Sequence, residues 1–214
     1  MPLPRLSVYF VFLMIILGVS CQKQAIPELT NNKDYFPLAV GNKWYYQTYS
    51  IDQDGNKRPF YTSLDSMYII GDSLLNGHKY FQLVSNTCIV GACVSDTTLV
   101  RLSGDRVVNE YGGVLLSTTV SEAVVYTDSN YFSSMLFITE YHTSGAEDSV
   151  STNAGQFRCL DWEGNMRMQV DTIIEQRPNI HYYFAEGIGM VQNEFYNGSG
   201  STVIYRELEA YRLN

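Results

Sequence analysis

From Tyr35 to the C-terminus the chain alternates apolar and polar positions in short runs, each stopped by glycine, asparagine or aspartate. That period of two is the signature of half-buried β-strands. Strands are predicted at Trp44–Ser50, Ser66–Ile70, Lys79–Ser85, Thr97–Leu102, Arg106–Tyr111 and Val114–Thr119. The pattern continues through Glu122–Tyr126, Met135–Tyr141, Gly155–Trp162, Met166–Glu175, Tyr182–Ala185, Met190–Tyr196 and Thr202–Tyr211. Predicted turns separate them: Asp52–Asn56, Asn76-Gly77, Ser103–Asp105, Gly112-Gly113, Asp128–Asn130, Glu163–Asn165 and Asn197–Gly200. Asn76-Gly77 is the strongest, because both residues tolerate positive φ. Gly187 and Gly189 read as a bend that lets one strand turn a corner and run on. Around Tyr131 a short helix is the alternative to strand, and no other stretch keeps a 3.6-residue period. The expectation is an all-β domain over 35–214. It is a single antiparallel, strongly curved sheet, or an open or half barrel, of about ten or eleven strands in a meander.

The N-terminus has a different pattern. Arg5 precedes a nearly unbroken apolar run, Leu6–Val19, which ends in Gly18-Val19-Ser20-Cys21. A positive start, a short apolar stretch and small residues at the exit describe a secretory signal peptide. The run falls short of the roughly 20 residues that span a bilayer. Leu17-Gly18-Val19-Ser20-Cys21 resembles a bacterial lipobox. That resemblance implies cleavage before Cys21 and lipidation of its thiol, with residues 1–20 removed as the signal. Residues 21–34 are polar and aperiodic and read as a tether. Gln22 is not the aspartate that retains some lipoproteins in the inner membrane, and no acidic cluster follows it. The expected location is the outer membrane, facing the periplasm.

Composition narrows the partners. The signal holds one basic residue and no acidic one, so 13 basic and 22 acidic residues remain, a net charge of −9. That balance excludes a nucleic-acid partner, which needs a basic face. Contact with the membrane is left to the acyl chains on Cys21. An exported chain meets oxidising conditions. Cys88 and Cys93 have a spacing that a tight hairpin can close as a disulfide, leaving Cys159 a buried free thiol; the odd count leaves open that all three are reduced.

Four stretches resemble one group of proteins. These are Tyr35-Phe36-Pro37-Leu38 with Gly41-Asn42-Lys43-Trp44-Tyr45-Tyr46; Asn76-Gly77-His78-Lys79-Tyr80; Ala154-Gly155-Gln156-Phe157 with Cys159; and Tyr183-Phe184-Ala185-Glu186-Gly187-Ile188-Gly189-Met190-Val191. Together they resemble uncharacterised lipoproteins of Bacteroidetes and related bacteria. The resemblance implies export, lipidation and an all-β domain, and it carries no catalytic residues.

Candidate chemistry is sparse. His78, His142 and His181 are scattered and form no metal-binding spacing, so neither a metal nor a cofactor is expected. Asp161 and Glu163 would share one face of a strand, as a glycosidase acid/base pair could. Glu163, however, opens a predicted turn, where carboxylates are ordinarily solvated. There is no nucleophile elbow or phosphate loop, so no enzyme activity is expected. Aromatics gather near both ends of the domain (Trp44, Tyr45, Tyr46, Tyr49; Tyr182, Tyr183, Phe184, Phe195, Tyr196). Of these, Trp44, Tyr46, Tyr182 and Phe184 are the candidate ligand-binding residues, suited to a glycan or an acyl chain. The functional expectation is a non-enzymatic binding or carrier module. The alternative is a structural or assembly accessory that docks on an envelope protein.

Overall fold

The computed structural model describes residues 34–51, 54, 56–60, 63–89, 92–196 and 203–214. They belong to one compact unit, Asn32–Asn214. The signal segment, Cys21 and the tether up to residue 33 lie outside the described residues.

The described chain is all-β and antiparallel. Its strands are β1 (Lys43–Ile51), β2 (Lys57–Pro59), β3 (Asp65–Leu75), β4 (His78–Ile89), β5 (Ala92–Ser103), β6 (Arg106–Asn109) and β7 (Val114–Ser117). They continue with β8 (Ser121–Phe132), β9 (Met135–Thr152), β10 (Gly155–Val170), β11 (Ile173–Gln176), β12 (Ile180–Ala185), β13 (Gly189–Tyr196) and β14 (Val203–Arg212). One sheet runs β7-β6-β5-β4-β3-β1-β14-β13-β12-β10-β9-β8, with β2 paired to β1 and β11 to β10. The chain is thus two meanders joined where the first strand meets the last. Its outer strands, β7 and β8, are consecutive in sequence yet unpaired, so the curved sheet is barrel-like with one open seam. Thr143 on β9 bridges the seam at one point, its hydroxyl donating to Ser117 O at 2.7 Å.

Among the described residues, fourteen strands replace the ten or eleven expected, and three predicted breaks are absent or different. Asp128–Asn130 lies inside β8, opposite Phe137–Thr139 of β9. Glu163–Asn165 lies inside β10, with all three residues paired to β9 and Glu163 and Gly164 also paired to β12. Residues around Tyr131 are strand, not helix. Polar residues in these places sit on long strands whose neighbours supply the backbone hydrogen bonds, so composition alone suggests a turn where none forms. The Gly187–Gly189 segment is not a bend in a continuing strand. It is the turn of a hairpin, with β12 and β13 side by side and antiparallel.

The core fills the inner face. Trp44, Tyr46, Ile69, Val100, Leu116, Trp162, Val191 and Leu208 are fully or almost fully buried there. Phe36, from the segment ahead of β1, inserts between Trp44 and Phe184, with ring centroids 6.2 and 6.0 Å away. Cys88 and Cys93 face each other across the β4–β5 hairpin and are joined by a disulfide. Cys159 is a buried free thiol, its pKa pushed up to about 12 mainly by desolvation.

Gly187 and Gly189 have φ of +72° and +105°. A β-carbon at Gly187 would meet nothing, whereas one at Gly189 would lie 3.2 Å from Trp44 Nε1. Gly187→Val is therefore expected to cost about 1–3 kcal/mol of backbone strain, and Gly189→Val more, because the indole must also move. Chemical denaturation of both mutants measures this. Equal midpoints for both mutants and the wild type would sink the account.

Candidate functional site

Strand β10 carries different chemistry on its two faces, and both are built by its register with β9 and β12. Directly opposed residues on neighbouring strands point to the same side of the sheet. The inner row runs Thr48, Arg206, Asn193, Tyr182, Trp162, Thr143 across six strands. The adjacent outer row runs Tyr49, Tyr205, Glu194, His181, Glu163, His142 across the same six.

On the inner side, a cleft of about 260 Å³ opens at the seam between β6–β7 and β8–β9. One wall is a stack of rings. Tyr126 and Tyr141 lie 6.1 Å apart, and Tyr141 and Trp162 lie 5.4 Å apart with an interplanar angle of 8°. Tyr182 completes that wall, while Asn109, Val114 and Asp128 line the rest. Burial pushes the Tyr141 and Tyr182 hydroxyls above the ordinary tyrosine range, and they hydrogen-bond each other. Both therefore stay neutral at any physiological pH. Beside Tyr182, Asn193 Oδ1 and Arg206 Nε and Nη2 are buried without a hydrogen-bond partner among the described residues. Arg206 also sits 3.4 Å from Asp65 Oδ2 as an ion pair and lies over the Tyr46 ring.

On the outer side, the far end of the β9–β10 hairpin reaches across to β14. Ala154 N donates to Leu208 O, and Asn153 Nδ2 to both carboxylate oxygens of Glu209. This cover leaves polar residues of the outer face buried, among them Asp161 and Gln192. His181 Nδ1 is 2.9 Å from Asp161 Oδ2, and its ring stacks on Tyr183. Hydrogen bonding to Asp161 raises the His181 pKa, and burial raises that of Glu194. Glu163 accepts from Asn179 Nδ2 with one oxygen and lies 3.4 Å from His142 Nε2 with the other.

Of the four aromatics expected to bind a ligand, Tyr182 alone reaches the cleft. Trp44, Tyr46 and Phe184 are core residues. The Trp44 indole donates to Ile188 O at 2.6 Å and the Tyr46 hydroxyl to Met190 O at 3.1 Å, which satisfies their polar atoms internally. They were candidates because they are aromatic and near the ends of the domain, and this is also what places them in the closing layer of the core. The side chains of Phe195 and Tyr196 lie outside the described ones. Asp161 and Glu163 do share a face, but it is the outer one. They stand across β10 from Trp162 and cannot act on a ligand in the cleft. His78 is exposed at the start of β4. Tyr126, Tyr141 and Trp162 were not singled out from the sequence, since their meeting depends on the seam. The grouping of His142 and His181 around Glu163 was hidden by reading Glu163–Asn165 as a turn.

A family model described as DUF3108-like matches residues 121–208, which span β8 to most of β14 and carry most of both rows. No curated protein matches the chain. The crystal structure of "a putative lipoprotein" from Parabacteroides distasonis is similar at 16% identity, covering 83% of this chain and 98% of that one, with a TM-score of 0.53. A "putative exported protein with YmcC-like fold" from Bacteroides fragilis aligns at 16% identity over 83% of this chain and 98% of that one, with a TM-score of 0.49. The first of these likenesses shows a common all-β fold.

Gly164 separates the two faces of β10. A β-carbon there would lie 2.7 Å from Ile180 Cγ1, 2.8 Å from Thr139 Cγ2 and 2.9 Å from Tyr141 Cε1. Gly164→Ala is expected to destabilise by about 1–3 kcal/mol through overpacking. A denaturation midpoint equal to wild type would show that this layer is looser than its geometry implies.

Proposed function

We propose that the chain is a cell-envelope lipoprotein whose domain, residues 35–214, is a non-enzymatic binding module for a small glycan. Acyl chains on Cys21 hold it to the membrane, with the outer membrane and the periplasmic side as its location. The observation that carries the ligand reading is the Tyr126–Tyr141–Trp162 stack bordering an open seam, with Tyr126 and Tyr141 half-buried and Trp162 buried behind them. Aromatic faces pack against sugar rings, and the neighbouring Asp128, Asn109 and Tyr182 offer the polar partners a hydroxylated ligand needs. Asn193 Oδ1 and Arg206 Nη2, buried near Tyr182 without a hydrogen-bond partner among the described residues, also favour a polar ligand over an acyl chain. Size points the same way. The cleft, and an apolar pocket of about 190 Å³ against Phe36 and Leu116, both lie below the roughly 300–1,000 Å³ of pockets that hold larger ligands.

A second reading, an accessory that docks on an envelope protein, is favoured by a different feature. The tips of the β8–β9 and β10–β11 hairpins are adjacent, and Tyr131, Phe132, Ile173 and Ile174 are exposed there. Clustered apolar residues of this kind mark interaction surfaces more often than isolated ones do.

Two experiments test these readings. Cys21→Ser is expected to move the protein from the membrane fraction to the soluble periplasmic fraction while leaving its stability unchanged. Retention in the membrane would rule out the acyl anchor. For the ligand, native mass spectrometry of the full chain should reveal a co-purified glycan, and tryptophan fluorescence should respond to at least one of glucose, maltose, N-acetylglucosamine or chitobiose. Tyr126→Ala should then weaken that response by about two- to tenfold, the worth of one aromatic contact. An empty protein with no saccharide response that instead retains an envelope protein would favour the docking reading.

A further inference from the structure

The outer face of β10 carries a second cluster, independent of the cleft. Asp161, Glu163 and His181 each place one donor atom within 4.8 Å of the others. Register puts them together: Glu163 is directly opposite His181 on β12 and His142 on β9, and Asp161 is two residues before Glu163 on the same strand. We propose that this cluster is a binding site for a divalent transition-metal ion of the zinc type, held by Asp161, Glu163 and His181.

Three observations support it. Asp161 is 4% exposed, and its Oδ1 is buried with no hydrogen-bond partner among the described residues. A buried carboxylate oxygen without a donor is costly unless a cation meets it. The carboxylates at the cluster also outnumber its one histidine. Asp161, Glu163 and Glu194 surround His181. Finally, the supporting groups are in place. Asn165 Nδ2 faces His142 Nδ1 at 3.4 Å, which leaves His142 Nε2 directed at Glu163, and Asn179 holds the other Glu163 oxygen. Partners that orient a ligating carboxylate in this way are part of most metal sites.

The donor set selects the ion. One imidazole with two carboxylates suits zinc, whereas calcium and magnesium prefer oxygen alone. Zinc ligands at about 2.0–2.2 Å from the ion stand about 3.5 Å apart in a tetrahedron. The donor atoms of the three residues lie within 4.8 Å of one another, somewhat wider than that spacing. In this assignment His142 is a positioning residue, acting through Glu163.

The test is isothermal titration of the chelator-treated full chain with Zn²⁺, and in parallel with Ca²⁺. One saturable Zn²⁺ site is expected, with no comparable Ca²⁺ site. His181→Gln should abolish it. His142→Gln should weaken it by about ten- to a hundredfold, as loss of an orienting partner does. Both substitutions replace one polar, partly exposed side chain by another, and unchanged circular dichroism and thermal melts would show that the fold survives. Absence of a saturable Zn²⁺ site in the folded wild type overturns the proposal. So does a Zn²⁺ site that both variants keep at full affinity, since the ion would then be bound elsewhere.

Discussion

Pairing of β1 with β14 is the constraint on which the remaining structure depends. It joins residues about 160 positions apart, as in Tyr49 opposite Tyr205, so the chain must close almost completely before this contact forms. Without it the sheet separates into two meanders, β1–β7 and β8–β14. The closure is held from both faces. Inside, Trp44 and Tyr46 reach across β14 to the backbone of Ile188 and Met190, and Arg206 pairs with Asp65. Outside, Lys57 pairs with Glu207 and the Tyr49 hydroxyl donates to Glu209 at 2.8 Å. At the strand ends, Asn214 N donates to Asn42 Oδ1, tying the C-terminus to the turn that opens β1. Long-range pairing of this kind forms late and slowly.

Closing the sheet at its middle fixes where it stays open. Strands β7 and β8 follow one another with only residues 118–120 between them, yet they sit at opposite ends of the strand order, and β8 pairs with β9 instead. The gap is therefore a product of the topology, and the rings of Tyr126, Tyr141 and Trp162 border it because β8, β9 and β10 are the strands next to it. A ring stack in the middle of the sheet would be sealed by its neighbours, as Trp44 and Phe184 are. At the seam Tyr126 and Tyr141 stay half-buried and keep access to solvent, while Trp162 behind them is buried. Position relative to the opening, rather than aromatic content, separates a wall of the cleft from a wall of the core.

This difference also sets how much was legible in the sequence. Alternation and turn chemistry located most strands, because strand period and glycine-bearing turns are local properties. Asn76-Gly77 behaves as its residues require, with φ of +53° and +78° in the β3–β4 turn. Length was not legible. Polar residues at 128–130 and 163–165 suggest turns, yet β8 and β10 run through them because β9 satisfies their backbone from one side. Aromatic content near the ends of the domain marks Trp44, Tyr46, Tyr182 and Phe184, and three of these four lie in the core. The residues of the cleft come from β6, β7, β8, β9, β10 and β12, and no spacing along the chain encodes that meeting.

Glu163-Gly164-Asn165 shows why the misread segment and the chemistry coincide. On local propensity this tripeptide is a turn, and a strand built through it gives up a side chain at its centre. The packing gives the reason: Ile180, Thr139 and Tyr141 converge on Gly164 from the inner face and leave no room for a β-carbon. The same close approach places β9 and β12 on either side of β10, so His142 and His181 flank Glu163 on the opposite face. A bulkier residue at 164 would relieve the conflict with local propensity, but it would push apart the strands whose register aligns the two histidines. Positions where a sequence contradicts its own local rule tend to be held there by a site. Here the contradiction lies between the aromatic wall and the acidic, histidine-bearing row, and one glycine allows both.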